Sequence, residues 1–255
     1  MTLDKARFYA ALREAPFRGS LTQPQVDGIE AILRAWDRHG DGDDCKLAYC
    51  LATAYHEVGG TMQPVREGFA KSDAAARRAV NALAAKRGPK SAVARYARPT
   101  APYGHVYYGR GFVQLTWEEN YEREGRVLGL DLVRQPDLAL DDEVAARVLV
   151  DGMMRGRFTN RRLGDYFAPG VNDPVGARRV VNGTDKAATI AAHYRAFLLA
   201  LTAARDTAPV VSPRPQPRPE APAHQVPQPA AEPRANWIIA LVGAALGAAF
   251  LRLLT

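Results

Sequence analysis

Apolar residues up to position 204 recur mostly at three- and four-residue steps, the spacing of helices with one buried face. Leu3, Ala6, Phe8, Ala10 and Leu12 sit among charges and predict a short amphipathic helix over 3–14, broken by Phe17-Arg18-Gly19-Ser20. Thr22-Gln23-Pro24-Gln25 is a helix start, with Thr22 as N-cap, Gln25 at the capping-box position and Pro24 in the first turn. Val26, Ile29, Leu33 and Trp36 form its core-facing stripe. From Leu47 to Tyr55 the chain is almost continuously apolar and has no breaker, which predicts a buried helix stopped by Gly59-Gly60. Ser72 caps an Ala- and Arg-rich helix over 73–86 that ends at Arg87-Gly88-Pro89. Thr116-Trp117-Glu118-Glu119 has the form of a second capping box, opening a helix to Leu128. Asp141 or Asp142 starts a helix to Met154, and Arg161–Phe167 is a short amphipathic piece. Val180–Thr184 ends another helical piece with an Asn182-Gly183 turn. The last long helix, 185–204, buries Ile190, Tyr194, Phe197, Leu198 and Leu201.

Two stretches depart from this pattern. Residues 103–116 mix aromatic and β-branched residues with Gly104, Gly109 and Gly111, which predicts a short irregular strand or hairpin beside a cleft. Residues 207–236 hold nine of the chain's 18 prolines and few apolar residues; they form an extended spacer with a reach of up to about 90 Å at ~3.1 Å per residue. The expected fold class is mainly α (α+β): a helical domain over 1–206, a Pro-rich linker over 207–236 and a membrane anchor over 237–254.

The anchor rests on Trp237–Leu251, an unbroken apolar run that reaches Leu254 if Arg252 snorkels, about the lower limit for a bilayer span. Trp237 suits an interface, and Gly243 and Gly247 form a small-residue face that could pair helices. Met1–Phe8 contains no long apolar run of the secretory type. Arg214, Arg218 and Arg234 would hold the N-terminal domain on the cytoplasmic side of a bacterial inner membrane. Cys45 and Cys50 are too few and too close for a disulfide framework. The net charge is +7, of which +2 lies in residues 207–255 and +5 in the body. A basic body is drawn to polyanions such as an anionic cell wall. Its cations do not interleave with aromatics, so no nucleic acid is expected as a partner.

Glu57 ends the buried helix, where the negative end of the helix dipole and an apolar wall both raise its pKa. Glu67 follows across a Pro-containing loop that could fold back toward it. One protonated and one ionised carboxyl flanking a cleft suit glycoside hydrolysis; the alternative is an ordinary carboxylate at a frayed helix end. His56-Glu57 lacks the second His of a zinc helix, position 60 being Gly, and Asp37–Asp44 lacks calcium-loop ligands at His39 and Ala48. No metal or cofactor is expected. Gln114, Thr116, Asn120 and Tyr108 supply amides and hydroxyls suited to sugars, although Tyr107, Tyr108 and Trp117 could equally be core.

Taken together, His56-Glu57-Val58-Gly59-Gly60, the run Tyr107-Tyr108-Gly109-Arg110-Gly111-Phe112-Val113-Gln114-Leu115-Thr116, Asn120-Tyr121 and Val181-Asn182-Gly183 resemble motifs of glycoside hydrolase family 19. That family includes plant chitinases and many phage endolysins. The resemblance implies a lysozyme-like helical fold and an inverting mechanism, with Glu57 as general acid and Glu67 as general base. It further implies that Thr116 helps to hold the attacking water and that Gln114, Asn120 and Asn182 contact substrate. The loop from Glu57 to Glu67 is shorter than in plant chitinases, and Thr184-Asp185-Lys186 stands where those enzymes carry a further acidic residue. Ile190 stands where they carry an Arg. The loop length is that of the bacterial and phage branch, and the other two differences weaken a chitin reading. Peptidoglycan strands are the expected substrate, with a chitinase or a non-catalytic membrane-tethered wall-binding module as the alternatives.

Overall fold

A computed structural model of the chain describes residues 3–205; the expected linker and anchor lie outside them. Eight α-helices, four 3₁₀ turns and two two-stranded sheets make up the regular structure of the described residues, the α-helices and strands in the order α1 (Lys5–Glu14), α2 (Gln23–His39), α3 (Asp44–Glu57), β1 (Val65–Arg66), α4 (Asp73–Arg87), α5 (Ala92–Tyr96), β2 (Arg110–Gly111), α6 (Glu118–Leu128), α7 (Asp142–Arg155), β3 (Phe167–Ala168), β4 (Val171–Asn172) and α8 (Ala187–Arg205). This is the mainly helical architecture expected.

The caps act largely as the residue types require. Thr22 accepts from the Gln25 N–H and the Gln25 side chain returns to the Thr22 N–H, closing the capping box of α2. Asp43, Ser72 and Asp141 cap α3, α4 and α7 through their side-chain oxygens. The box expected at Thr116 does not form. Trp117 takes the N-cap position of α6 at φ 76°, and the Thr116 hydroxyl turns back to donate to the Gln114 carbonyl at 2.7 Å. Trp117 begins the helix in the left-handed region, which aims Thr116 away from the first-turn N–H groups. Two elements carried no clear sequence signal: the short helix α5 and the β3–β4 hairpin.

Helix α3 is the centre of the fold. Every residue from Leu47 to Ala54 is buried, so it is enclosed on all sides rather than along one stripe. Leu47 and Leu51 alone contribute about 1.5–3 kcal/mol each from burial. α3 packs chiefly on α8, α8 also packs on α1, and α2 packs on α7. α8 is long and apolar enough to cross a membrane, but Ile190, Tyr194, Phe197 and Leu201 are buried in the main core, so it is a core helix. A second apolar cluster gathers Ala76, Val80, Val93, Ala97, Val106 and Tyr108 beneath α4 and α5. Tyr107 belongs to the main core and its neighbour Tyr108 to the second cluster. The segment before β2 is therefore the seam between the two.

Candidate active site

Glu57 is the last residue of α3. Beyond it Gly59 and Gly60 take φ values of 58° and 78°, and the Gly60 N–H returns to the Tyr55 carbonyl at 2.7 Å, a left-handed closure that suits glycine. The helix thus delivers the Glu57 side chain into a nearly dry position, 2% exposed. Arg178, equally buried in the 3₁₀ turn Gly176–Val180, donates from Nη1 to Glu57 Oε1 at 2.6 Å. Arg178 is itself steadied by the Asp185 carbonyl, which accepts from Nε at 3.1 Å. Burial pushes the Glu57 pKa up; Arg178 opposes the shift without cancelling it, and Asp185 adds to it. The Oε2 oxygen receives no hydrogen bond from the described residues, leaving one oxygen on which a proton can reside. His56 next to it is held down at about 4 by burial first and then by the charge of Arg178, so it is neutral at physiological pH. Tyr49 and Thr53 precede Glu57 at four-residue steps on α3. Their buried hydroxyls have no partner among the described residues, and the packing gives no account of them.

The loop from Glu57 to Glu67 is stitched to the start of α2. Gln25 Nε2 donates to the Gly60 carbonyl and Gln63 Nε2 to the Pro24 carbonyl. The Met62 carbonyl lies so close to Gly28 that a Cβ there would stand 1.7 Å from it. The loop then enters β1, which pairs antiparallel with β2, Val65 opposite Gly111 and Arg66 opposite Arg110. The half-buried Glu67 follows in a 3₁₀ turn and is clamped across Gly109. Its N–H donates to the Gly109 carbonyl at 2.7 Å, and the Gly109 N–H donates to Oε2 at 2.9 Å. The Tyr96 hydroxyl, at the end of α5, donates to Oε1 at 2.7 Å. Burial raises the Glu67 pKa, while the two donors and the charge of Arg110 oppose the shift.

The remaining expected residues divide into supports and half-exposed groups. Gln114, at φ 55°, donates to the Val65 and Gly111 carbonyls at 3.1 Å each and so ties the turn after β2 to β1. Tyr108 is fully buried, its hydroxyl donating to Asp73 at 2.9 Å. It braces the seam from within and offers no open face. Asn120 donates to the Thr116 carbonyl and accepts from Arg123, so both ends of its amide are engaged. Asn182 is half-buried and its side chain accepts from the Gly183 N–H, steadying the turn after Arg178.

Three residues without a role in the sequence expectations prove central. They are Arg178, Tyr96 and Arg110. Arg110 is 1% exposed and spends its donors on Asp137, Asp73, the Tyr121 hydroxyl and the Val106 and Tyr108 carbonyls, with its guanidinium stacked 3.7 Å from the Tyr108 ring. It holds β2, and hence Glu67, to both clusters. The position of Arg110 in the Tyr-Tyr-Gly-Arg-Gly run was the one available signal; nothing local marked Arg178 or Tyr96. A cavity of about 330 Å³ lined by Glu122, Arg126, Leu130 and Leu132 contains none of these site residues. No cluster of metal-binding side chains occurs among the described residues.

Comparison with protein families matches residues 35–150 to chitinase class I, glycoside hydrolase family 19. Among curated proteins, endochitinase CH5B of Phaseolus vulgaris is 50% identical over 46 residues, 18% of this chain and 14% of that protein. Inactive chitinase-like protein 2 of Hevea brasiliensis is 31% identical over 131 residues, 51% of this chain and 36% of that protein. The matches therefore span about a third or less of those relatives' own length. Among solved structures, chitinase C of Streptomyces griseus aligns over 78% of this chain and 76% of its own, at 21% identity and a TM-score of 0.49. The matched span, a little under half of the chain, carries both carboxylates and the Tyr-Tyr-Gly-Arg-Gly turn, and over that span the chain is similar to glycoside hydrolase family 19.

Proposed function

We propose that this chain hydrolyses a β-linked N-acetylglucosamine-containing glycan by inversion, with Glu57 as general acid and Glu67 as general base. The observation that carries the reading is the pair of differently held carboxylates: burial raises both pKa values, but Glu57 is bonded at one oxygen and open at the other, whereas Glu67 is clamped at both oxygens by two donors that favour its ionised form. A proton passes from Glu57 Oε2 to the glycosidic oxygen as the bond to the anomeric carbon breaks. Glu67 takes a proton from the water that attacks the opposite face. The two products carry one added water between them; solvent then returns a proton to Glu57 and takes one from Glu67.

The preferred substrate is peptidoglycan, as in an endolysin that lyses or remodels the bacterial wall. The body's +5 charge suits anionic, peptide-bearing strands, and the Pro-rich spacer and apolar tail suit a catalytic body tethered at the inner membrane. Gly243 and Gly247 would serve helix pairing in that tether. Chitin is the second reading, favoured by the endochitinase names of the relatives. The test incubates peptidoglycan, and chitin oligomers in parallel, with the chain, its Glu57→Gln variant and a form lacking residues 207–255. Mass spectrometry identifies new reducing ends and fractionation follows membrane association. The expected outcome is release by wild type, a loss of about 10²–10⁴-fold in Glu57→Gln, and full activity without membrane association after truncation. Release from chitin alone moves the substrate to the second reading. Equal release by Glu57→Gln removes Glu57 as the acid.

A further inference from the structure

Phe69 lies two residues after Glu67 and is 50% exposed. Single exposed aromatics are common on protein surfaces and need no explanation by themselves. Phe69 differs in two ways. Its backbone sits at φ 57°, directly after Gly68 at φ 68°, so a bulky side chain occupies the left-handed region that disfavours a Cβ. The double turn also sends its ring back over Gly59, two residues after Glu57. A Cβ on Gly59 would meet the ring atoms Cζ and Cε1 at 3.1 and 3.3 Å. The aromatic ring thus bridges the chain segments that carry the two carboxylates, with half its surface open to water. Strain at such a position points toward function rather than folding, because the core does not require this ring.

We propose that Phe69 is a sugar platform, a specificity-determining residue whose open face stacks on the apolar face of a pyranose ring of the glycan held between Glu57 and Glu67. The inference rests on the glycosidase reading above and deepens it. A pyranose presents axial C–H groups on one face and hydroxyls at its rim, so an aromatic ring binds the face while the carboxylates meet the polar edge. Gly59 is the position that lets the ring approach the end of α3, and Glu67, fixed on Gly109 and Tyr96, sets where the Gly68-Phe69 turn begins.

The test titrates a chitotetraose-type oligosaccharide into the full chain carrying Glu57→Gln, by calorimetry, with and without Phe69→Gly. Glycine suits the left-handed backbone, so this variant keeps or gains thermal stability while losing the ring. Binding is expected to weaken on the order of tenfold, and Phe69→Trp is expected to retain it. Phe69→Asn, which tolerates the same backbone, gives the same loss should the glycine variant unfold. Steady-state hydrolysis by the otherwise wild-type chain runs in parallel, where the loss should fall mainly on KM. Equal binding with and without the ring, in a chain whose wild type cleaves glycan, overturns the platform alone. A wild type that neither binds nor cleaves any glycan overturns the glycosidase reading, and the platform with it.

Discussion

Glu57 faces a buried guanidinium, whereas Glu67 faces a phenol and a peptide N–H. Burial pushes both carboxyls the same way, and each is opposed by its partners. The partners differ in kind: Arg178 keeps its charge at any working pH, and the donors on Glu67 are neutral. The scaffolds differ as well. Glu57 ends a helix enclosed on all sides, and Glu67 hangs from a two-residue strand stitched to α2, α5 and β2. Glu57 is thus placed by the core and opposed chiefly by the charge of Arg178, and Glu67 is placed by hydrogen bonds and opposed by them first and by the charge of Arg110 after them. The two ends of the site should respond differently to perturbation.

Arg178→Met is the largest break. It leaves Glu57 buried without its cation, at a cost of about 3 kcal/mol at neutral pH. The sign follows from proton linkage. Arg178 lowers the Glu57 pKa, so its removal raises the folded value further above the unfolded one. Stability is then retained below the ordinary carboxylate range and lost as pH rises through the raised folded pKa. Denaturant unfolding at acidic and neutral pH reads this out, and a deficit independent of pH would count against the pair. The high-pH limb of the activity profile should move upward at the same time.

Gly28→Ala tests the scaffold of Glu67, the proposed base. Its Cβ cannot coexist with the Met62 carbonyl, so the loop must shift, at a cost of about 2 kcal/mol by unfolding. Turnover should fall while the high-pH limb, governed by Glu57, stays in place. A displaced limb would show that the two ends are not independent. Tyr96→Phe is the gentlest change, costing about 1 kcal/mol. It removes a donor to ionised Glu67, so the Glu67 pKa rises and the low-pH limb moves to higher pH. A limb that does not move would argue against Glu67 as the base.

The local parts of this molecule were largely legible. The capping box at Thr22 and Gln25, the caps at Ser72 and Asp141 and the buried run ending at Glu57 follow from side chains acting within four residues of themselves. Where a local rule failed, at Thr116, a left-handed Trp117 redirected a hydroxyl that sequence spacing had aimed at a helix. The short irregular β element expected within residues 103–116 is present as Arg110–Gly111, closed on itself by the Arg110–Leu115 bridge around the Gln114 turn.

The sequence by itself determined the helical class, the buried helix and the carboxylates at 57 and 67, since periodicity, caps and motif spacing are short-range properties. It also marked the Pro-rich and apolar tail as different in composition from the body. Only the tertiary structure decided which of many arginines meets Glu57, that Tyr96 meets Glu67, and that Tyr108 turns inward. Arg178 lies 121 positions from its partner and Tyr96 lies 29 from its own, separations over which no local signal selects one candidate above another. Such pairings come from packing, because an ionised or polar group carried into a dry interior must find a partner there, and the fold determines which one is within reach.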